Sequence, residues 1–370
     1  VRQVKQSIRK ERRQNPDIEI IVTGCAAQIN PNIFEQMAEV DHVIGNEEKL
    51  NPDIWSRLPN ERVIVNDIMN IKETAPQMVA GFKGRFRAFA QIQQGCDHRC
   101  TFCIIPYGRG NSRSVPIGEI VKQFRLLIKN GYKEFVLTGV DITSYGPDLP
   151  GQPRLGTMIK RLLKNVEGIE RLRLSSVDPS EIDEDLLDLI ANEKRLMPSL
   201  HLSVQAGNDL ILKRMKRRHL RDDVIKLSTL LREIRPDIVL GADLIAGFPT
   251  ETEEMFKQTI DLISEAELLH LHIFPYSART GTPAAKMPQV TSNIKKMRAR
   301  LLREAGAELV AEHLSKRVGR IETVLLEQND TGYTDQFFPM KVYGNHQPGE
   351  IITAKVDNVM EDNTLVGSTS

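Results

Sequence analysis

Three of the four cysteines in this 370-residue chain fall in one run, Gln94-Gly95-Cys96-Asp97-His98-Arg99-Cys100-Thr101-Phe102-Cys103, spaced C-x3-C-x2-C. Three thiolates this close together can hold three corners of a cubane iron–sulfur cluster. No other cysteine stands near them, so the fourth iron would stay open, and an open iron is a place for chemistry. Two other readings compete. A structural zinc site would take His98 as its fourth ligand, although zinc ribbons usually bring a second, distant C-x2-C pair, which is absent here. Three unligated core cysteines are the remaining reading, in a chain whose only further cysteine is Cys25. His98, His201, His219, His270 and His272 show no metal-ligand spacing with a carboxylate. Asp243, at the end of an expected strand, reads as a structural or substrate-orienting residue.

These residues need a frame. Between residues 85 and 279, short apolar strands at 87–94, 134–138, 171–175, 200–204, 239–245 and 269–276 alternate with helical stretches such as 117–130, 183–192, 222–234 and 253–266. Several strands are apolar on both faces, as parallel strands buried between helices are. Asn130-Gly131 and Glu167-Gly168 are helix stops. Six βα units predict a parallel, incomplete barrel. In such sheets chemistry gathers at the carboxyl ends of the strands, and Cys96 directly follows the first strand.

Outside this core, residues 1–80 read as an α/β unit with strands at 18–24, 42–44 and 62–65 and helices at 1–15, 31–38 and 51–58. The stretch 71–84, with Pro76, Gly81 and Gly84, reads as a linker. Residues 292–316 read as one helix with Ile294, Met297, Leu301, Ala305 and Leu309 as its apolar stripe. From 318 to 370 the sequence is strand-rich, with turns at Asn329-Asp330, Gly344-Asn345 and Pro348-Gly349, and predicts a small barrel of four or five strands. The expected organisation is therefore 1–80, 85–285, a linking helix in 286–317, and 318–370. The fold class is α/β: a partial parallel (βα)6 barrel between an N-terminal α/β unit and a C-terminal β-barrel.

Composition sets limits. A net charge of +1 does not by itself announce a nucleic-acid binder. Four cysteines in a chain of this length are not a secreted disulfide scaffold. No apolar run approaches the roughly 20 residues that span a bilayer, and no signal-peptide pattern opens the chain. A reduced, cytoplasmic setting is expected. The chain opens at Val1 inside an expected helix, so it reads as N-terminally truncated.

The segments around the cysteines narrow the reading. Gln91-Ile92-Gln93-Gln94-Gly95-Cys96, Ile104-Ile105-Pro106-Tyr107-Gly108-Arg109-Gly110 and Arg113-Ser114 closely resemble the radical S-adenosylmethionine (SAM) methylthiotransferase family. Leu137-Thr138-Gly139-Val140-Asp141, Leu174-Ser175-Ser176, Leu202-Ser203-Val204-Gln205, Asp243-Leu244-Ile245-Ala246-Gly247-Phe248-Pro249 and Phe274-Pro275-Tyr276-Ser277-Ala278-Arg279-Thr280-Gly281-Thr282 follow in the family's order. The likeness covers nearly the whole chain, and the C-terminal barrel resembles a TRAM domain, an RNA-binding module. Lys213-Arg214-Met215-Lys216-Arg217-Arg218-His219 is most similar to the branch acting on N6-threonylcarbamoyladenosine in tRNA. That branch adds a methylthio group at C2 of the base beside the anticodon. A different tRNA adenosine, a ribosomal-protein aspartate, or a non-catalytic iron–sulfur RNA-binding role are the alternatives.

The resemblance implies a 4Fe-4S cluster on Cys96, Cys100 and Cys103 whose open iron chelates SAM, with reduction yielding a 5′-deoxyadenosyl radical. It places Phe102 against the adenine of SAM and backbone carbonyls of Thr138 and Gly139 on the SAM amino group. Ser175, Ser203 and Gln205 are expected on ribose or carboxylate, Arg218 on the SAM carboxylate, and Phe274 and Tyr276 around the adenine. Cys25 matches the third of three cysteines that hold a second 4Fe-4S cluster in the family, the other two being expected upstream in the full-length protein. Implied partners are tRNA and an electron donor such as flavodoxin or ferredoxin, with no membrane. RNA contacts are expected from Arg9, Lys10, Arg12 and Arg13, from the basic runs at 213–218 and 295–303, and from Tyr333, Phe337 and Phe338 as stacking platforms.

Overall fold

The computed structural model describes residues 1–56, 58, 60–71 and 86–369. Among these residues the N-terminal unit consists of α1 (Arg2–Gln14), a parallel sheet of β1 (Ile21–Thr23), β2 (His42–Ile44) and β3 (Val63–Ile64), and short helices α2 (Cys25–Ile29), α3 (Asn32–Glu35) and α4 (Pro52–Ser56). Val22, Ala27, Phe34 and Val43 make its own small core, to which Ile8 ties α1. Most of the expected linker, 72–84, lies outside the described residues.

The chain then enters β4 (Arg87–Gln91) and leaves the sheet at Ile92. Ile92 donates its N–H to the carbonyl of Thr138, while its own carbonyl accepts from Val115. Beyond it, β5 (Gln93–Gln94) pairs antiparallel with β6 (Arg113–Ser114). The sequence had read 87–94 as one strand; the break turns the chain out of the parallel sheet just before the cysteines. The cysteine run and α5 (Ile105–Arg109) fill the loop of this ribbon.

Five further parallel strands follow: β7 (Glu134–Thr138), β8 (Arg171–Leu174), β9 (Ser199–Gln205), β10 (Val239–Ala246) and β11 (Leu268–Pro275). They are reached through α6 (Ile117–Lys129), α7 (Leu155–Asn165), α8 (Glu184–Asn192), α9 (Asp209–Met215), α10 (Arg221–Ile234) and α11 (Glu253–Glu265). Gly131, at φ +86°, takes the left-handed turn that stops α6. The strand order follows the sequence, β8 and β9 meeting only at the bridges Leu172–Leu196 and Val177–Leu202. No pairing joins β4 to β11 among the described residues. Side chains from β4, β7, β8, β9 and β11 nevertheless line one cavity, so the sheet curves into the expected incomplete barrel.

Pleating divides each strand between two faces. Ala88, Ala90, Phe135, Leu137, Leu172, Leu200 and Leu202 face the helices and join one core, in which Phe124 stacks on Phe135 at 4.7 Å. Each large apolar side chain buried there contributes about 1.5–3 kcal/mol. The alternate residues, Arg87, Phe89, Val136, Arg173 and His201 among them, face the cavity.

The helix α12 (Ser292–Ser315) corrects the sequence reading. Its buried seam runs through Ala299, Leu302, Gly306 and Leu314, with Leu301, Ala305 and Leu309 partly buried, while Ile294 and Met297 are exposed. Small residues set this seam, since a Cβ at Gly306 would come within 2.6 Å of Leu271. After α12, β12 (Ile321–Leu326), β13 (Thr331–Thr334), β14 (Pro339–Tyr343), β15 (Ile351–Val359) and β16 (Leu365–Ser368) close a five-stranded barrel in which β14 and β16 run parallel.

This small barrel forms a floor under the large one. Glu134, with no solvent exposure, accepts from Arg87, from Arg173 at 2.9 Å and from Arg171 at 3.3 Å. Arg171 reaches on to the carbonyl of Thr323 at 2.8 Å and to Asp335, and Arg173 donates to the carbonyls of Thr334 and Asp335. Tyr333 and Phe337 stack on each other at 4.7 Å beneath the Arg87 guanidinium, and Phe338 is buried. These aromatics are therefore committed to the domain contact, which corrects the expectation that they offer platforms for RNA bases.

Burial alone would raise the Glu134 carboxyl, but Arg173, Arg87 and Arg171 outweigh it and hold the group below its ordinary 4.5. Its contribution to stability is complete above that ordinary value and is lost as pH falls through the lower folded-state value. Glu134→Gln is expected to destabilise the protein by about 3–5 kcal/mol at neutral pH, because buried guanidinium charges lose their counter-charge. Urea denaturation of both proteins at pH 7 measures the difference; an unchanged midpoint would refute the role given to Glu134.

Candidate active site

The cysteine loop is shaped by backbone needs before any side chain acts. Gly95 sits at φ +73°, and a Cβ there would lie 1.8 Å from the carbonyl of Asn111, so only glycine fits. Cys96 N–H donates to Gly110 and Cys103 N–H to Cys100. Thr101 bonds to Met215 and Arg214 at the end of α9, and its carbonyl accepts from Ala284. The loop is thus anchored to segments far from it in sequence.

Gln93 is the residue that sequence reasoning passed over. Wholly buried, it donates through Nε2 to the carbonyls of Gln94 and Gly95 and to Ser112. Its Oε1 accepts from the N–H groups of Val140 and Asp141, at 3.0 and 2.9 Å. One side chain therefore fastens the start of the cysteine loop to the turn after β7. A Cβ on Gly139 would lie 2.9 Å from the Gln93 carbonyl, so this turn also depends on close backbone approach. Only the parity of the Gln91-Ile92-Gln93-Gln94 segment, interrupted by the strand break, hinted at an inward-turned glutamine.

Cys96, Cys100 and Cys103, all free thiols, line one cavity of about 230 Å³ together with Phe102, Ser203 and Gln205. Val140 and Asp141 supply the wall after β7, rather than Thr138 and Gly139, and the Thr138 carbonyl is taken by Ile92. Ser175 and Phe274 lie outside this cavity: Ser175 lines the larger space within the sheet, and Phe274 is half-exposed beside His272. Tyr276 is buried edge-on to Phe248 under Lys295 and does not line this cavity. Phe102 also packs edge-on to Phe248, at 6.3 Å.

The arginine of the cavity is Arg217, where the sequence had pointed to Arg218. Arg217 is held by Asp178 at 2.8 Å and by the Ser203 carbonyl at 2.7 Å, and its Nη1 lies 3.8 Å from Cys100 Sγ. Arg218 is bound instead by Glu181 at 2.7 Å and lies 2.8 Å from Nε2 of His98, at the edge of the same cavity. Lys216 explains the offset: it adopts a left-handed conformation at φ +60° after α9, which rotates the next residues out of helical phase. His98 stands with Cys96 and Asp141 close enough for the three to share a metal ion; its Nε2 meets Asp141 at 3.0 Å and Glu181 at 3.5 Å, and hydrogen bonds to both push its pKa up to about 10.

The thiols suit a cationic metal group. Burial, then the nearby Asp141 carboxylate, pushes the Cys96 thiol up, and burial does the same to Cys103. A thiolate here needs positive charge beside it, which iron supplies. Three sulfur donors with no fourth cysteine at hand fit a cluster with one open iron. Cys25, at the start of α2, abuts α5: Arg109 Nε lies 3.1 Å from its sulfur and Asn46 Nδ2 3.8 Å. Both are donors, as a thiolate ligand would want.

The fold also assembles what histidine spacing concealed. His201 and His272 both donate to Asp243 Oδ1, each at 3.1 Å, with their rings 4.4 Å apart. Burial would raise the Asp243 carboxyl, but the two imidazoles more than offset it and hold it below the usual range.

Two outcomes check this site. Cys103→Ala is expected to prevent formation of a four-iron cluster in anaerobically reconstituted protein, read by iron and sulfide analysis; one zinc and no sulfide in the parent would contradict the assignment. Gln93→Leu leaves two buried N–H groups unpaired and is expected to cost about 2 kcal/mol. It should also speed loss of iron to a chelator, and an unchanged rate would show that Gln93 does not hold the loop.

Comparisons place the chain among known proteins. A family model for the Radical SAM superfamily matches residues 90–263. The threonylcarbamoyladenosine tRNA methylthiotransferase MtaB of Rickettsia prowazekii (strain Madrid E) is 53% identical over 360 residues, covering 97% of this chain and 85% of that protein. The tRNA-2-methylthio-N(6)-dimethylallyladenosine synthase of Lawsonia intracellularis (strain PHE/MN1-00) is 35% identical over 337 residues, covering 87% and 74%. Among solved structures, the radical S-adenosylmethionine methyltransferase TsrM from Kitasatospora setae shares the fold, with a TM-score of 0.56 at 16% identity over 76% of this chain and 61% of that one. With three thiols at the strand ends of an open (βα)6 barrel, and with that likeness along nearly its whole length, the chain belongs to the threonylcarbamoyladenosine tRNA methylthiotransferase family of radical SAM proteins.

Proposed function

We propose that the protein is a tRNA methylthiotransferase that inserts a methylthio group at C2 of N6-threonylcarbamoyladenosine beside the anticodon. The observation that carries this reading is the cavity with Cys96, Cys100 and Cys103 on one wall, in a chain 53% identical to a protein named for that substrate. Position 2 is supported by the dimethylallyl relatives, whose names specify a 2-methylthio product.

Cys96, Cys100 and Cys103 hold the 4Fe-4S cluster in this reading, and SAM occupies the cavity beside them. Bound there, the pair supplies one-electron chemistry able to open an unreactive C–H bond. Phe102 shields the cavity's apolar side. Ser203 and Gln205 present hydrogen-bonding groups from the end of β9, and Arg217, fixed by Asp178, offers its guanidinium to an anionic group such as the SAM carboxylate. Cys25 contributes one thiolate toward a second cluster; with the other three cysteines assigned, this sequence supplies no further thiolate to it.

Partners in this reading are tRNA and a low-potential electron donor such as flavodoxin or ferredoxin, in the cytoplasm. No helix among the described residues is long and apolar enough to cross a membrane. Residues 318–370 act as a TRAM-like RNA-binding domain attached by the 286–317 segment, beside the 85–285 catalytic unit and the 1–80 unit. Removing this barrel would strip Arg171 and Arg173 of the carbonyl partners it supplies, so point variants are the better probe of RNA binding. Arg320 and Lys355 are exposed on it.

The test of the function is mass spectrometry of tRNA nucleosides after reaction of the reduced, reconstituted protein with SAM and threonylcarbamoylated tRNA. A 2-methylthio product is expected from protein carrying both clusters, whereas Cys96, Cys100 and Cys103 with Cys25 alone are expected to give 5′-deoxyadenosine without it. A two-cluster protein that methylthiolates another adenosine and not this one would refute the substrate. The double variant Arg320→Ala/Lys355→Ala is expected to flatten the slope of log affinity for tRNA against log salt by about 1–2. An unchanged slope would remove the barrel from the RNA interface.

A further inference from the structure

Beside the cysteine-lined cavity lies a second one of about 560 Å³, lined by the curved sheet, floored by the C-terminal barrel and open to solvent. That volume is in the range of small-molecule sites. Asp243 lines the first cavity, and its two histidine partners line the second, so the two spaces adjoin at this residue. The walls of the second are mixed. Phe89 leaves 60% of its surface exposed at a position facing inward on β4. The His272 side chain is 63% exposed although its Nδ1 is bound to Asp243, so Nε2 is the nitrogen left for a ligand. Ser175 adds a hydroxyl from the end of β8 and Ser199 one from the start of β9.

We propose that this inner cavity receives the substituent on N6 of the target adenosine, and that the substituent is the polar, amino-acid-derived kind. This rests on the reading of the protein as a tRNA methylthiotransferase. The relatives' names divide between a threonylcarbamoyl and a dimethylallyl group. The first carries a urea, a hydroxyl and a carboxylate; the second is purely apolar. An apolar group would strip water from His272, Ser175 and Ser199 and return no hydrogen bond, at a cost of roughly 1–3 kcal/mol for each group left unpaired. The threonylcarbamoyl group returns those bonds, and its aliphatic part packs against Phe89. C2 and C6 both flank N1 on one edge of the purine, and their outward bonds diverge. A base that turns C2 toward the cysteine cavity therefore directs its N6 substituent into a neighbouring space, and the inner cavity adjoins the first at Asp243. Asp243 acts here through His272: a carboxylate shared by two imidazoles fixes the ring that meets the ligand.

The experiment compares three anticodon stem-loop RNAs, carrying threonylcarbamoyladenosine, dimethylallyladenosine or unmodified adenosine at the target position. The full chain, reconstituted with its cluster and SAM, is expected to bind the threonylcarbamoyl RNA at least tenfold more tightly than the dimethylallyl RNA. His272→Phe keeps the ring but removes its hydrogen bond. It should raise KM for the threonylcarbamoyl RNA about tenfold and erase most of the preference, while affinity for the unmodified RNA changes less than twofold. A variant that keeps the preference overturns the subsite, as does a parent protein that modifies the threonylcarbamoyl RNA without preferring it. A parent carrying both clusters that cleaves SAM but gives no methylthio product with any of the three RNAs overturns the functional reading beneath it. Loss of affinity for all three RNAs alike would assign His272 a role in holding the sheet together and would also overturn the subsite.

Discussion

A carboxylate sealed from water stays charged only if cations surround it. Glu134 opens β7 in that condition, and the three guanidinium groups that satisfy it come from the starts of both neighbouring strands: Arg87 on β4, Arg171 and Arg173 on β8. The register of the three strands is thereby fixed at their amino ends, since a shift of one residue would put Arg171 or Arg87 on the helix face. The same arginines run on into backbone carbonyls of the C-terminal barrel. One charge cluster therefore sets strand register, seats the small barrel and closes the bottom of the inner cavity.

At the carboxyl ends the chemistry is different but the logic is shared. No single strand carries the site. Gln93 binds the cysteine loop to the turn after β7, Asp178 after β8 holds Arg217 from the segment after α9, and Thr101 ties the loop to Met215 and Ala284. Each contact joins segments remote in sequence, so three thiols on a flexible-looking run become three fixed donors. The parallel sheet makes this possible: its strands end at one level, and their turns meet over one space.

Much of this was legible in the sequence because it is carried by local rules. The C-x3-C-x2-C spacing needs no tertiary information, and the β7 bounds were read to the residue because an apolar run with a glycine stop before it leaves little choice. The failures share a cause. The resemblance places Arg218 on the SAM carboxylate, and no local rule shows that Lys216 adopts a left-handed conformation that brings Arg217 to the cavity instead. The α12 stripe was misplaced because Ala299 and Gly306 make its seam, and small residues give no hydrophobic signal. Tyr333 and Phe337 were read as RNA platforms because nothing local reveals an arginine from β4 resting above them. The His201–Asp243–His272 group joins three strands, so no spacing along one of them could announce it.

The inner face of the sheet shows a choice that stability alone does not explain. Filling the space with aliphatic side chains would add about 1.5–3 kcal/mol for each one buried, and small closed barrels are commonly filled in that way. Here Phe89 and His272 stand largely exposed at inward positions and Phe274 is exposed beside them, while Asp243 is met by the imidazoles of His201 and His272. Stability is concentrated instead in the helix-side core and in the charged floor. A sheet held rigid from outside and below can leave its interior open. The space between the arginine floor and the cysteine rim then keeps its shape without being filled, and a base can enter without first forcing the strands apart.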